Sequence, residues 1–591
     1  MAPSEELSGA DGRSTEEEKS EPNGVFLSHA YESRGFRKFW LANDDEKEPT
    51  LPPEQTEKYV IADPKTGKGH RGLFYYIADL VRGDGRWKKS INLSDKVDQV
   101  VDPSQTWQAR MSLLFLKLLW WLNGPMKWFG HFLEDKLNLF LANGGIFKTI
   151  IRALFRRHQL VIPHRESEDY ASFIGILDPR VALYSPGVSS SSVKSNEEAN
   201  ATVFSGTDFG SKYTADVLVM ASKLAYENAK FVEKVVTKSW KMNFVGFYNC
   251  WNEFQKQKNT QVFLFTDKPE NAKAIVVAFR GTEPFNALDW STDFDFSWYE
   301  MPDLGKIHVG FLEALGLGDR KRMETFVDMY DNACDQRANA HHGSSLSGLP
   351  DDVVADDDKK LAYDDVTAKV KQLMAKNPDA KLFLTGHSLG GALANLYTAL
   401  LFFNKEDSIT SRLGALYTFG QPRVGGQHYC DYLIGKVQEA RYWRVVFGND
   451  LVPRVPFDDT VFQFKHCGYC YYYDDNYQAV VLVESPNKDY FSWKISTIIG
   501  QRIGALYSLI LAILAGWKYG PEYREGLTAI IVRAFGVVTP GMTSHLLNNY
   551  VNAVRLGPSL LEPKLQEGSP IILPGSSFFL GNRKKSTPKH D

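Results

Sequence analysis

Short apolar runs alternate with helix-period segments through the middle of the chain. Four runs of four to six mainly apolar residues are typical of strands buried on both faces, and they are residues 274–279, 382–385, 414–419 and 442–447. Between the first two runs, residues 363–373 place apolar side chains at helical spacing. This alternation predicts an α/β fold with a mostly parallel central sheet, at about residues 205–560.

An apolar helical region is predicted upstream of this domain, at about residues 107–157. It is rich in Leu and Trp and is interrupted by Gly124-Pro125. The apolar run before Gly124 holds about a dozen residues, whereas a membrane-spanning helix needs about 20. We therefore predict a helical hairpin that lies on a lipid surface, with its tryptophans at the level of the headgroups. The alternative is a buried helical pair packed on the main domain.

A further apolar stretch, at about residues 497–520, is inserted in the C-terminal part of the domain. Its centre, residues 503–517, carries no charge and is again shorter than the roughly 20 residues of a span. We expect it to form an interfacial anchor or a wall of the substrate channel. The alternative is a buried helix of the domain.

Polar stretches divide the chain into successive parts. Glu, Ser, Asp and Gly dominate the N-terminus without apolar periodicity, which predicts a disordered acidic arm. The predicted parts are the arm (1–55), an N-terminal region with the apolar helices (56–184), a Ser-rich linker (185–204), the α/β domain (205–560) and a C-terminal tail (561–591).

Composition narrows the possible function classes. The chain has 591 residues and 43% hydrophobic content, enough for a large core. Charged residues make up 24% and nearly cancel to a net charge of -3, so we expect no nucleic-acid partner. The acidic N-terminus lacks the features of a secretory signal or a transit peptide, so we expect neither secretion nor import into an organelle.

The cysteines predict a reducing compartment. There are five of them, an odd and small number for this length, which argues against a disulfide framework. Cys467 and Cys470 form a Cys-x-x-Cys pair without a second ligand pair or a thioredoxin-like context, so we assign them a structural role. We predict no metal site and no cofactor.

The run Gly386-His387-Ser388-Leu389-Gly390 carries the candidate chemistry. It follows a predicted strand and precedes an Ala- and Leu-rich helix, which is the strand-turn-helix setting of a nucleophile elbow. In such a turn the serine adopts a strained backbone conformation, and the flanking glycines let strand and helix approach each other. We therefore predict that Ser388 is a catalytic nucleophile.

A serine nucleophile needs an imidazole base that a buried carboxylate orients, in the chain order Ser, Asp, His for this architecture. Asp450 fits the acid because it follows the strand 442–447 in a turn flanked by Gly and Pro. Three histidines come later, of which His590 lies in the polar tail. His466 lies in an aromatic, alternating segment that predicts a strand, whereas His545 lies in a loop before a predicted helix. We predict His545 as the base, with His466 as the alternative.

The tetrahedral intermediate of ester hydrolysis needs an oxyanion hole. One donor is the backbone N–H of the residue after the nucleophile, which is Leu389. The other comes from an earlier loop at a strand end, where Thr282 follows the run 274–279. Thr282 can donate from its N–H and from its hydroxyl.

These motifs together resemble the class 3 lipase family over about residues 205–560. The matching runs are Phe279-Arg280-Gly281-Thr282, Asp289-Trp290-Ser291-Thr292-Asp293, His308-Val309-Gly310-Phe311, the elbow, Phe419-Gly420-Gln421-Pro422-Arg423-Val424-Gly425 and Asn449-Asp450-Leu451-Val452-Pro453-Arg454. Several motifs in one order are more specific than any one of them. The resemblance gives His308 and His466 scaffold roles.

The resemblance also implies a fold and a set of site residues. The fold is the α/β-hydrolase fold, and the triad is Ser388, Asp450 and His545. Thr282 and Leu389 form the oxyanion hole, and a mobile lid directly follows Thr282.

Within the family, the acidic arm, the Trp-rich stretch and the apolar insertion resemble the oil-body triacylglycerol lipases of plants. This implies serine-dependent hydrolysis of tri-, di- and monoacylglycerols to free fatty acids at the cytosolic face of a lipid droplet, with the droplet or a membrane surface as partner. One alternative is a phospholipase A1 or galactolipase that acts on membrane lipids. The other is a lipid-droplet coat protein without catalytic activity.

Overall fold

The structure is a computed structural model of the chain. It describes residues 59–62, 91–92, 106–155, 159–184, 210–252, 255–322, 324–330, 360–438, 441–458, 463–484 and 495–561. The predicted arm and linker, and the predicted tail beyond residue 561, lie outside the described residues, as do Cys334 and His590.

Twelve strands form two sheets in the described part of the chain. They are β1 (Tyr59–Ala62), β2 (Ile91–Asn92), β3 (Asn243–Asn252), β4 (Gln257–Thr266), β5 (Ala274–Phe279), β6 (Trp298–Met301), β7 (Gly305–His308), β8 (Lys381–His387), β9 (Leu413–Phe419), β10 (Tyr442–Phe447), β11 (Cys470–Tyr473) and β12 (Ala479–Leu482). The central sheet has eight strands in the order β12-β11-β10-β9-β8-β5-β4-β3. The smaller sheet is antiparallel, with the order β2-β1-β6-β7.

Helices connect and flank these strands. The α-helices are α1 (Thr106–Ala142), α2 (Ile146–Phe155), α3 (Phe173–Leu177), α4 (Lys212–Leu224), α5 (Ala229–Lys234), α6 (Ala287–Phe294), α7 (Val309–Ala314), α8 (Ala362–Lys376), α9 (Leu389–Phe403), α10 (Asp407–Thr410), α11 (Gln427–Val437), α12 (Ile495–Lys518), α13 (Leu527–Gly536), α14 (Pro540–Ser544) and α15 (Leu547–Leu556). A π-helix spans Val235–Ser239, and 3-10 helices span Val452–Arg454 and Pro521–Tyr523.

The predicted parallel core of an α/β-hydrolase fold is confirmed. Strands β5, β8, β9, β10 and β11 run parallel, and antiparallel strands complete both edges of the sheet. Adjacent residues of β5 face different apolar clusters, because Val277 packs with side chains of α8 and α9 whereas Val276 packs with those of α4 and α15. Burial on both faces explains the unbroken apolar runs in the sequence.

The predicted break of the helical region at Gly124-Pro125 is wrong. The helix continues through both residues to Ala142, and the turn before α2 lies at residues 143–145. Gly144 and Gly145 have φ values of +79° and +102°, which glycine adopts readily, and they end the helix. Pro125 weakens a helix locally, but packing of the later turns on the domain maintains α1.

Helix α1 packs on the domain along one side, as the alternative expected, but the outer surfaces of α1 and α2 are apolar and exposed, so the pair is not buried. Trp121 and Trp128 of α1 are 62% and 69% exposed, and Phe147 of α2 is 84% exposed. Only the opposite side of α1 packs on the domain, where Leu133 and Leu137 join an apolar cluster.

Helix α12 is longer than its apolar centre predicted. Its segment Ser496–Lys518 is long and apolar enough to cross a membrane by length and composition alone, so the expectation of a stretch shorter than a span is wrong. The alternative of a buried helix is also wrong, because much of the apolar side of α12 is exposed and Trp517 is 88% exposed. The sequence predicted the apolar stretch at about residues 497–520, but its length was judged from the uncharged centre alone, and the helix continues through Arg502 to Ile495.

The cysteine count argued for a reducing compartment and against a disulfide framework, but the described cysteines include one disulfide. Cys430 in α11 and Cys467 in the loop before β11 form a disulfide. They are 37 positions apart, so their pairing could not be predicted from local spacing in the sequence. Cys250 and Cys470 are free and buried, and among the described residues no cluster of three His, Cys, Asp or Glu is placed to hold a metal ion.

Candidate active site

Ser388 occupies the turn between β8 and α9. Its φ and ψ are +58° and -132°, the strained conformation that the sequence predicts at this position. A Cβ atom on Gly386 would lie 2.2 Å from the backbone of Gly390, and one on Gly390 would lie 2.2 Å from the carbonyl oxygen of Phe279. Glycine is therefore required at both positions for the start of α9 to pass so close to β8 and β5.

Three side chains from separate elements meet at this turn. His545, between α14 and α15, places Nε2 2.8 Å from Oγ of Ser388. Its Nδ1 lies 2.7 Å from Oδ2 of Asp450, which follows β10. A carboxylate accepts hydrogen bonds, so Nδ1 carries the proton and Nε2 is left to accept from the serine hydroxyl. The structure thus brings together the three residues nominated from the sequence, in the donor and acceptor order that a general base requires.

Asp450 is buried and receives three hydrogen bonds. Besides His545, the hydroxyl of Tyr550 in α15 donates to Oδ2. The backbone N–H of Val452 donates to Oδ1 at 2.9 Å. These donors compensate the loss of hydration that burial imposes on a carboxylate charge.

His387 connects the elbow to the loop that carries His545. Its Nε2 lies 3.0 Å from the backbone carbonyl oxygen of His545, which only accepts, so Nε2 is the donor. Its Nδ1 lies 2.9 Å from the hydroxyl of Tyr226 and accepts from it in the neutral imidazole. Burial lowers the pKa of His387 well below its usual value, and the proximity of His545 lowers it further. A neutral, doubly hydrogen-bonded imidazole therefore holds the backbone of His545 against the elbow.

His466 is placed away from the serine, in the loop before β11. Its Nε2 donates to the carbonyl oxygen of Pro453 over 2.6 Å, within the 3-10 helix that follows Asp450. Burial and the charges of three nearby arginines lower the pKa of His466 well below its usual value. The predicted strand is wrong for the described residues 463–466, where Lys465 forms only an isolated bridge with Gly425. The aromatic alternation was misleading because Phe464 is buried although the segment does not join the sheet.

The two predicted oxyanion donors come from the elbow and from the loop after β5. Leu389 is the first residue of α9, so its N–H has no acceptor one turn earlier within the helix. Thr282 lies in the loop after β5, and its hydroxyl donates to Oδ2 of Asp293 in α6 over 2.6 Å. In this arrangement the hydroxyl of Thr282 is engaged by Asp293, and α6 is thereby tied to the loop.

Asp293 is a buried carboxyl group at the edge of the site. Burial raises its pKa to about 7, although the hydrogen bond from Thr282 and the proximity of His545 act in the opposite direction. Its Oδ1 has no hydrogen-bond partner within the described part of the chain. The group therefore titrates near neutral pH beside the predicted oxyanion hole.

The site is closed to solvent. Ser388 is 1% exposed, and Asp450, His545, Thr282 and Leu389 are buried as well. An ester can reach Oγ of Ser388 only after neighbouring segments move.

Comparison with known proteins decides the family. Residues 276–460 match the model of the family described as Lipase (class 3). The chain is 41% identical over 520 residues to Triacylglycerol lipase OBL1 of Arabidopsis thaliana, covering 86% of this chain and 96% of that protein. It is 40% identical over 489 residues to the protein of the same name from Nicotiana tabacum, covering 77% of this chain and 84% of that one. The chain belongs to the class 3 lipases.

The class 3 lipase model spans only part of the site. It includes Thr282, Ser388, Leu389 and Asp450 but ends at residue 460, before His545. A solved structure, the native Rhizomucor miehei lipase propeptide complex, is similar to the chain with 21% identity and a TM-score of 0.29, covering 47% of this chain and 69% of that one.

Two residues of this class 3 lipase site escaped the sequence reasoning. Tyr550 lies five residues after His545, and Tyr226 lies just after α4. Each contacts a group that is 100 or more positions away in the chain, so no local motif announced its role. The sequence offered a signal only for Tyr550. This residue is a tyrosine on the buried face of the helix that follows the predicted base, where its hydroxyl needs a polar partner.

Proposed function

We propose that this class 3 lipase hydrolyses the ester bonds of triacylglycerols, with Ser388 as nucleophile, His545 as general base and Asp450 as the orienting acid. The observation that carries the proposal is the continuous hydrogen-bonded series from Ser388 Oγ through His545 to Asp450. Two further features support it, namely the strained turn at Ser388 and the N–H of Leu389 beside it, which begins α9 and has no acceptor within that helix.

The proposed reaction has two stages. Nε2 of His545 removes the proton of Ser388 Oγ as this oxygen attacks the carbonyl carbon of the ester. The backbone N–H groups of Leu389 and Thr282 stabilise the oxyanion that forms. Collapse of the intermediate breaks the ester C–O bond, and His545 returns the proton to the departing glycerol oxygen. Water, deprotonated by His545, then attacks the acyl-Ser388 ester, and His545 returns this proton to Oγ of Ser388 as the ester C–O bond breaks and the fatty acid leaves. Asp450 stabilises the imidazolium that forms in each stage.

The choice of triacylglycerol rests on the relatives. The proteins from Arabidopsis thaliana and Nicotiana tabacum that match most of this chain are both named triacylglycerol lipases. Their similarity extends over 86% and 77% of this chain, far beyond the 276–460 segment that defines the family.

We further propose that the enzyme works at the cytosolic face of a lipid droplet. Helix α2 supports this, because Phe147, Ile151 and Leu154 lie on one exposed face. Lys148 and Arg152 flank that face, where they can meet anionic headgroups while the apolar side chains enter the acyl layer. Helices α1 and α12 also carry exposed apolar side chains.

A substrate panel tests the proposed activity. Purified enzyme is given emulsified triolein, diolein and monoolein, phosphatidylcholine vesicles and galactolipid vesicles, and fatty acid release is titrated. The proposal predicts the highest kcat/KM on an acylglycerol, with triolein hydrolysed. Preferential release from phosphatidylcholine or galactolipid would instead assign a phospholipase or galactolipase activity, and no release from any lipid would overturn the proposal.

Flotation with artificial droplets tests the location. Replacing Phe147 and Leu154 by serine removes much of the apolar face of α2 and is expected to lower recovery with triolein droplets coated by phosphatidylcholine and phosphatidylserine. Val483, which is also an exposed apolar residue but lies outside α1, α2 and α12, provides the matched control as Val483→Ser. Equal flotation of the α2 variant and the control would contradict the proposed surface.

A further inference from the structure

A five-residue helix, α14, ends at Ser544 and directly precedes His545. The last carbonyl groups of a helix have no donor within it and need one from elsewhere. Nδ2 of Asn549 in α15 supplies this donor, 2.7 Å from the carbonyl oxygen of Thr543 and 3.4 Å from that of Ser544. Asn549 therefore fixes the backbone of the two residues that precede the base.

Asn549 is itself held by a buried arginine. Nη2 of Arg533 in α13 donates to Oδ1 of Asn549 over 2.6 Å. Because an arginine only donates, the atom that faces it must be the amide oxygen, and the NH2 group of the amide is left to face α14. Arg533 thus selects the orientation in which Asn549 can donate to the carbonyl oxygen of Thr543.

Arg533 is fixed in turn by Glu525, in the loop before α13. Its Nε and Nη2 lie 2.6 and 2.5 Å from the two carboxylate oxygens, the two-point pairing that a guanidinium favours. The side chains of Arg533 and Glu525 are 3% and 6% exposed. Burial lowers the pKa of Arg533, but the charge of Glu525 outweighs this effect, so the pKa lies above its ordinary value. The guanidinium is therefore a charged and fixed donor to Asn549.

Helix α13 carries apolar side chains outward and this charge inward. Leu527 and Phe535 are exposed, whereas Arg533 is buried. A helix that served only as an apolar surface would not need a buried charge, because burying one costs free energy unless it is paired. On the same inner side, a Cβ atom on Gly536 would lie 1.7 Å from Cγ2 of Thr543. The inner side of α13 is therefore built against the helix that precedes the base.

We propose that Arg533 is a positioning residue for the catalytic base and that it acts through Asn549. Glu525 holds the guanidinium, the guanidinium orients the amide of Asn549, and the amide fixes the end of α14. Nε2 of His545 is thereby kept 2.8 Å from Oγ of Ser388. The three positioning groups lie beyond the segment 276–460 that matches the family model. This inference rests on the proposed function, because it assigns residues that position the base of that same site.

A charge-neutral double variant tests the positioning role. Arg533→Met combined with Glu525→Gln removes the hydrogen bond to Asn549 without leaving one charge buried and unpaired. The matched control is Arg555→Met combined with Asp216→Asn, which removes another buried pair, between α15 and α4, with 2.6 Å between Nε and Oδ1. Both double variants lose a buried ion pair and are expected to change Tm, whereas the first also releases Asn549.

Two rates report on the base. One is kcat on emulsified triolein, and the other is the rate at which a p-nitrophenyl phosphonate modifies Ser388. In the second reaction, Oγ of Ser388 forms a bond to phosphorus, the bond from phosphorus to the nitrophenyl oxygen breaks, and p-nitrophenolate leaves. Nε2 of His545 takes the proton of Oγ, so this rate depends on the position of the base without requiring a lipid substrate.

The expected result is a loss of rate without a loss of binding. The Arg533→Met and Glu525→Gln variant is expected to lower kcat and the phosphonylation rate by about 10-fold or more with little change in KM, because a misplacement of about 1 Å can cost that much. The Arg555→Met and Asp216→Asn control is expected to keep both rates near the wild-type values, whatever its Tm. An equal loss of kcat in the two double variants would overturn the proposal.

Asn549→Ala gives the same test without changing a charge, including the case in which the Arg533 variant does not fold. It removes the donor to the carbonyl oxygen of Thr543 and is expected to lower both rates to a similar extent. Adding it to the Arg533→Met and Glu525→Gln variant is expected to cause little further loss, because all three substitutions interrupt one series of contacts. Wild-type rates in folded Asn549→Ala, or losses that add in full, would overturn the proposal.

Phosphonylation separates this inference from the proposed activity. Suppose that the wild type hydrolyses no lipid, but that its Ser388 is phosphonylated about 10-fold or more faster than in the Arg533→Met and Glu525→Gln variant. The proposed function would then be lost and the positioning role retained. An enzyme that hydrolyses triolein, with equal kcat and equal phosphonylation rates in the wild type and in that variant, would lose only the positioning role.

Discussion

His387 donates a hydrogen bond from Nε2 to the backbone carbonyl oxygen of His545 over 3.0 Å. The residue before the nucleophile therefore fixes the backbone of the base, while the side chain of the base contacts the nucleophile. Tyr226 completes the arrangement by donating to Nδ1 of His387. The elbow supplies both the reacting hydroxyl and the restraint that keeps the imidazole within 2.8 Å of it.

Removing this restraint should lower turnover without weakening substrate binding. We expect His387→Leu to lower kcat by about 10- to 100-fold with little change in KM, because a displacement of the base by about 1 Å suffices for such a loss. His387→Gln retains a side-chain donor and is expected to recover much of kcat. Steady-state kinetics on emulsified triolein measure both. Equal kcat in the leucine and glutamine variants would show that the hydrogen bond does not position His545.

Removing the hydroxyl of Tyr550 should shift the acid limb of the pH–rate profile. Tyr550→Phe removes one hydrogen bond from Asp450, so the carboxylate interacts more strongly with the imidazolium of His545 and favours it. The acid limb of kcat/KM should therefore move to higher pH, with the loss of activity greatest on the acidic side. Rates across pH 5 to 9, compared with the wild type, measure the shift. An unchanged limb, or a shift toward lower pH, would contradict this role.

Asp293 should make stability depend on pH. Its pKa is about 7 in the folded protein and near its usual value of 3.8 when unfolded, so folding loses stability as pH rises from about 4 through 7. Asp293→Asn still accepts from Thr282 but cannot ionise. We expect the variant to gain in Tm relative to the wild type between pH 5 and pH 8. A difference in Tm that stays constant over this interval would show that Asp293 does not titrate near neutral pH.

Alanine substitutions of the two candidate histidines should have different effects. His545→Ala removes the group hydrogen-bonded to Ser388 and is expected to reduce kcat by at least about 10⁴-fold with little change in Tm. His466→Ala leaves the carbonyl oxygen of Pro453 without its donor and is expected to lower Tm while retaining measurable turnover. Thermal unfolding and triolein hydrolysis are measured on both variants. If His466→Ala abolished turnover and His545→Ala only lowered Tm, His466 would be the base.

The strands and the elbow could be predicted because their signals are local. Burial on both faces produced continuous apolar runs, so β5 and β10 have the bounds that the sequence predicted. The glycines around Ser388 marked a close approach of strand and helix that only glycine permits.

The remaining features depend on contacts between distant parts of the chain. Tyr550 and Asp450 are 100 positions apart, and the pairing of Cys430 with Cys467 depends on how α11 lies beside the loop before β11. Local propensity placed a break at Pro125, but packing of later turns on the domain outweighs the cost of one proline. Sequence periodicity reports local burial and therefore misses such tertiary effects.

Hydrolysis of emulsified triolein by Ser388→Ala tests the central claim most directly. Wild-type and variant enzyme are compared at equal droplet-bound concentration, established by flotation, so that binding does not enter the comparison. We predict a loss of at least about 10⁴-fold in fatty acid release with unchanged flotation, because no other group replaces the hydroxyl 2.8 Å from His545. Fatty acid release by the variant within about 10-fold of the wild type would contradict the assignment of Ser388 as the nucleophile.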